Sequence, residues 1–129
     1  MDVAATRDST VLVVDDEPQV VWVLCFSLEA DGYTTVSASD GAQALERIDE
    51  HHPRVMLLDI MMPHMDGWAV LEEMMKKPAH ERPRVIVVSA LTSLRDRAKA
   101  AELGADAYVP KPFNVDELLD LLHKLDAVA

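Results

Sequence analysis

At 129 residues, half of them apolar, the chain has enough material for one sizeable hydrophobic core, the usual content of a single domain. A formal net charge of −11 sets its surface against nucleic acid and anionic membrane, and no apolar run approaches the roughly 20 residues that cross a bilayer. One cysteine, Cys25, excludes an internal disulfide and suits a packed thiol in a reducing setting, so a cytoplasmic protein is expected with no direct contact to nucleic acid or membrane.

Residues 1–10, MDVAATRDST, are polar and lack the apolar centre of a secretory signal; they read as a tail before a domain over 11–127. The first strand candidate, 11–15 (VLVVD), runs into Asp15, Asp16 and Glu17, and Pro18 then opens a helix over 18–31 that Gly32 stops. A second strand over 33–37 (YTTVS) precedes a helix over 40–50 with Asp40 placed as its N-cap. The third strand, 54–59 (RVMLLD), ends on another acid, Asp59. After turn residues Pro63, Asp66 and Gly67 comes a helix over 66–77.

The fourth strand, 84–89 (RVIVVS), ends on Ser89, and Ser93 is placed to cap a helix over 93–103 that stops at Gly104. The fifth strand, 106–109 (DAYV), leads to Lys111 in VPKPF, and Asn114 caps a last helix over 114–127. Three strands are near-continuous apolar runs, the pattern of strands covered on both faces. Alternating strands and helices imply an α/β fold: a doubly wound parallel sheet with helices on both faces and its ligand site beyond the carboxyl ends of the strands.

Four polar groups sit at such strand ends. Adjacent carboxylates at Asp15 and Asp16 repel unless a proton or cation intervenes, and hard oxygen ligands favour Mg2+. With Asp59 they would make a magnesium site that keeps open positions for water and phosphate. Ser89 can donate to a phosphoryl oxygen and Lys111 can neutralise it. Each residue taken singly also fits a plain structural role: an acidic turn capping a helix, a loop acid, a helix-entry serine, a solvated lysine. Coincidence across four strand ends is the weaker account.

In order and spacing, VLVVDDEP, LLDIMMPHMDG, VIVVSA and GADAYVPKPF resemble the motifs of response-regulator receiver domains of two-component phosphorelays, the CheY-like family. The resemblance implies a flavodoxin-like five-stranded sheet in the order 2-1-3-4-5. It implies Mg2+, with Mn2+ as a substitute, held by Asp15, Asp16, Asp59 and the main-chain carbonyl of Met61. Asp59 would be the phosphorylation site, taking a phosphoryl group from a sensor histidine kinase or phosphotransfer protein, with Ser89 and Lys111 completing the catalytic set. Ser89 and Tyr108 would form the switch, and Lys111-Pro112 matches a cis peptide of the family. Such a protein is not an enzyme in the ordinary sense: it catalyses its own aspartyl phosphorylation and dephosphorylation. Met61 and Leu91 stand where some relatives carry polar residues that orient water, so dephosphorylation should be slow. Small Ala90 leaves room for the phosphoryl group.

The family's output face, built from the fourth helix, fifth strand and fifth helix, here carries Arg95, Arg97, Lys99, Glu102, Asp106, Asp116 and Glu117. Mixed charge there suits a homodimer, and equally a solvated helix surface with local ion pairs. Met61, Met62, Met65 and Trp68 offer either a contact patch or core packing. Two rival functions are a haloacid-dehalogenase-like phosphatase, whose DxD signature differs from Asp15-Asp16-Glu17, and a receiver-like scaffold that works without phosphorylation.

Overall fold

Strands covered on both faces need apolar side chains at successive positions, and three segments supply them: β1 (Thr10–Val14), β3 (Val55–Leu58) and β4 (Arg84–Ser89), each buried along nearly its whole length. In the computed structural model, which describes residues 10–127, these form the centre of a five-stranded sheet. Half-exposed β2 (Thr34–Ala38) and β5 (Ala107–Pro110) are its edges. All pairings are parallel and the order is β2-β1-β3-β4-β5. Thr10, expected in the tail, is the first residue of β1 and pairs with Thr34; the rest of that tail lies outside the described residues.

Five helices alternate with the strands: α1 (Pro18–Ala30), α2 (Gly41–His51), α3 (Gly67–Met75), α4 (Leu94–Glu102) and α5 (Val115–Ala127). A single 3-10 turn, Ala79–Glu81, precedes β4. Alternate strand residues divide the core in two. Val11, Val13, Val55, Leu57, Ile86 and Val88 face Leu24 and Leu28 of α1 and Leu118 and Leu122 of α5. Leu12, Val14, Met56, Leu58, Val85 and Val87 face Ile48 of α2, Val70, Leu71 and Met74 of α3, and Ala100 of α4. The two-residue period of a strand thus produces both layers from one run of apolar residues.

Local chemistry sets the helix ends where the sequence placed them. Asp40, Ser93 and Asn114 accept from the main-chain N–H of Gln43, Asp96 and Glu117. Asp66 does the same for Ala69, a cap that the turn reading of Pro63 to Gly67 passed over. Gly32 and Gly104 take φ of +98° and +96° just past α1 and α4, where a side chain would be strained.

Candidate functional site

The carboxyl ends of β1, β3, β4 and β5 meet at one edge of the sheet, and each carries its polar residue there. Asp15 follows β1, is almost fully buried, and has its main chain tied to Ala38 by a 3.1 Å hydrogen bond. Its Oδ1 accepts from Glu17 N at 2.9 Å. Glu17 occupies the N-cap position of α1 but caps it with no side-chain bond, so the acidic run is not explained as a helix cap. Asp59 follows β3, is 5 % exposed, and donates its N–H to Val14 O at 2.9 Å. Exposed Asp16 completes a set of three carboxylates, one oxygen of each lying within 4.8 Å of the others.

The close approach of α3 to Asp59 depends on Gly67. Its N–H donates to Ile60 O at 2.8 Å, and a Cβ there would lie 2.5 Å from Asp59 O and 2.7 Å from Ile60 Cα. Only a residue with no side chain lets the helix begin against the loop that carries Asp59.

Burial and the neighbouring charge of Asp15 raise the Asp59 carboxyl from its ordinary 3.8 to about 6, with Lys111 pulling the other way. Lys111 enters from β5 over a cis Lys111-Pro112 peptide. Its ammonium lies 2.8 Å from Asp15 Oδ2, 3.3 Å from Glu17 Oε1 and 3.6 Å from Asp59 Oδ1. Burial alone would lower the lysine, but the hydrogen bond to Asp15 and the charges of Asp59 and Asp15 outweigh it and raise its pKa. The reading of Lys111 as a solvated lysine is thereby overturned.

Ser89 is fully buried, its Oγ accepts from Leu91 N at 3.1 Å, and its carbonyl accepts from Lys111 N at 2.9 Å. Tyr108 is half-buried, and its hydroxyl donates to Leu91 O at 2.6 Å rather than resting in water. Both residues of the expected switch therefore bond to Leu91. Met61 is 62 % exposed and, with Asp16, Trp68 and Leu91, lines a depression of about 470 Å3 beside the acids. Met62 is buried, while Met65 and Trp68 pack partly against the core, so of that group Met61 is the one left prominent at the surface.

Some expected surface charges engage neighbouring groups of the chain. Asp106 binds Arg84 and the N–H of Val85, Lys99 lies 4.3 Å over the Trp68 ring, and Arg97 lies 5.1 Å over Tyr108. Arg95, Glu102, Asp116 and Glu117 are exposed. One surface was missed at the sequence level: Trp22 and Phe26 of α1 are 65 % and 61 % exposed and stack with centroids 5.3 Å apart. Their spacing of four on a helix was the signal, hidden because the uncharged run Pro18–Leu28 reads as a core segment.

Comparison with known proteins is concordant with this geometry. The family model described as response regulator receiver domain matches residues 11–123. The "Probable transcriptional regulator ycf27" of Guillardia theta is 42% identical over 118 residues, 92% of this chain and 45% of that protein. Its counterpart in Porphyridium aerugineum is 41% identical over 108 residues, 84% of this chain and 44% of that protein. The chain thus spans about half the length of the curated relatives it matches. Among solved structures, the Francisella response regulator 1452 receiver domain is 33% identical with a TM-score of 0.85, covering 92% of this chain and 97% of that one.

Proposed function

The chain belongs to the response regulator receiver domain family, and from that premise we propose that Asp59 is its phosphoacceptor, drawing a phosphoryl group from a phosphohistidine on a sensor kinase or phosphotransfer protein. The observation that carries this reading is the convergence of Asp15, Asp16, Asp59 and Lys111 from three strand ends on one small volume. A carboxylate oxygen of Asp59 attacks phosphorus, the P–N bond breaks, and its electron pair leaves with the imidazole nitrogen. Lys111, already within 3.6 Å of Asp59, meets the incoming phosphoryl oxygens with positive charge, and the Ser89 hydroxyl donates to one of them.

The donor set fits a hard divalent cation: three clustered carboxylates, one of them held near pKa 6 by burial and by its neighbour's charge, carry an electrostatic cost that a cation relieves. Asp15, Asp16, Asp59 and the carbonyl of Met61 are the groups to hold Mg2+. When bound, the ion offsets the negative charge that would otherwise repel a dianionic donor. The haloacid-dehalogenase reading loses support here, since the candidate nucleophile ends the third strand and not the first.

Switching follows from Ser89 and Tyr108 sharing Leu91 as partner. A Ser89 hydroxyl turned toward a phosphoryl oxygen releases Leu91 N, and the loop between β4 and α4 then repacks with Tyr108. The α4-β5-α5 surface is the face so altered, and a homodimer through it is part of this proposal.

Mass spectrometry after treatment with acetyl phosphate and Mg2+ tests the assignment. Wild type should gain one phosphoryl group and Asp59→Asn none; retention of the label by the variant would move the acceptor elsewhere. The label should decay over minutes or longer, since neither Met61 nor Leu91 presents a polar side chain to orient water. Decay within seconds would contradict that part of the reading.

A further inference from the structure

At the opposite pole, where β3 and β4 begin, a cavity of about 550 Å3 lies far along the strands from the acids. In a chain of net charge −11 its lining is the reverse of the surface at large: Arg54, Arg82, Arg84, His52 and His80, with Asp106 as the one lining acid. The guanidiniums are held in place from behind. Arg54 meets Asp126 of α5, with 2.7 Å between Nε and Oδ1. Arg84 meets Asp106 at 3.3 Å, and that carboxylate is itself fixed by Val85 N at 2.8 Å.

Arg82 differs from both. Its Nε donates to Lys77 O at 2.9 Å and Nη2 to Met75 O at 3.3 Å, main-chain carbonyls just past the end of α3 and at its last residue. Carbonyls orient a guanidinium without cancelling its charge, and among the described residues no carboxylate stands within ion-pair distance of Arg82. Among the described residues, the three arginines of this lining face two carboxylates, Asp106 and Asp126. Glu81, 3.7 Å from His80, does not line the cavity. Buried Pro53 and Pro83 stiffen the floor between the arginines.

We propose that this cavity is a binding site for a small phosphate-bearing anion, of the size of a diphosphate. Planar guanidiniums present paired donors that match phosphate oxygens, and arginines already anchored lose little freedom on binding. The volume admits such a ligand and excludes a folded domain. The site is separate from Asp59, so ligand binding here and phosphorylation there can be measured independently.

Inorganic pyrophosphate, titrated into the metal-free full chain by calorimetry and by amide NMR, tests this. Saturable one-to-one binding is expected, with shifts confined to 52–54, 79–84 and 104–106. Arg82→Gln should weaken it at least tenfold. Because Arg82 also anchors the end of α3, the exposed His80→Ala serves as a second variant that spares the fold, with an expected loss of two- to fivefold. Absence of saturation, or equal affinity in wild type and both variants, would overturn the proposal. So would tighter binding of a hexaglutamate peptide than of pyrophosphate, which would make the cavity a protein-docking patch.

Discussion

Lys111 reaches Asp15 across 96 residues of sequence to form a 2.8 Å ion pair, while its distance to Asp59, the candidate acceptor, is 3.6 Å. The lysine therefore sits closer to an expected metal ligand than to the phosphoryl acceptor, and its positive charge competes with a cation for the same carboxylates. Removing it should act in opposite directions on the two steps of the reaction.

Lys111→Met is expected to tighten Mg2+ binding by at least about fivefold, since unit charges ~4 Å apart repel by about 1 kcal/mol even when water screens them fully. The same variant should cut the rate of Asp59 labelling by at least tenfold, because the phosphoryl oxygens lose their cation. Calorimetry and acetyl phosphate labelling separate these effects; weaker Mg2+ binding in the variant would show that Lys111 organises the acids rather than competing for them.

Asp59 makes stability depend on pH in the absence of metal. Its pKa in the folded chain, about 6, lies above the ordinary 3.8. Ionising it therefore costs the folded state more than the unfolded. That cost is absent below about pH 3.8, grows as pH rises to 6, and is constant beyond. Asp59→Asn should stabilise the metal-free protein by about 1–3 kcal/mol at pH 8 and leave it nearly unchanged at pH 4. Urea unfolding at the two pH values checks this, and Mg2+ should narrow the gap at pH 8. Destabilisation at pH 8 would mean that the carboxylate is better satisfied than its surroundings indicate.

Gly67→Ala should destabilise the fold by about 1–3 kcal/mol, because its methyl would meet main-chain atoms that cannot step aside. Labelling of Asp59 should fall more than stability alone accounts for, since the displaced atoms are Asp59's own carbonyl and the next residue's Cα. Thermal unfolding and labelling on the same preparation test it; an unaltered midpoint would show that α3 can shift without cost.

Trp22 and Phe26 contribute little to the core, so Trp22→Ala and Phe26→Ala should each change stability by less than about 1 kcal/mol. Both lie on the helix that begins just after Asp15 and Asp16. Trp22 lines a depression together with Asp15 and Asp16, so loss of this exposed aromatic pair should slow transfer from a phosphohistidine protein tenfold or more and leave acetyl phosphate labelling unchanged. Equal slowing with both donors would place the pair's role inside the catalytic site.

The three-layer fold was legible because its signals are local. Uninterrupted apolar runs at Val11–Val14, Val55–Leu58 and Val85–Val88, the first and last rich in β-branched residues, read as strands covered on both sides, and Asp40, Ser93 and Asn114 announce the helices that cover them. The acids were legible for a related reason, since a charge directly after such a run has to emerge at the edge of the sheet. Trp22 and Phe26 were not, because a helix's apolar residues do not declare which of its faces the sheet will cover.

By itself, then, the sequence determined the alternation of strands and helices, the sheet edge at which Asp15, Asp59, Ser89 and Lys111 emerge, and the family that their spacing resembles. Periodicity and capping act over a few residues and survive without knowledge of the rest of the chain. Only the tertiary structure decided that Lys111 pairs with Asp15, that Tyr108 bonds Leu91, and that Arg54, Arg82 and Arg84 surround one cavity. Those relationships join residues from separate strands and loops, and distance along the chain carries no information about them until packing brings the segments together.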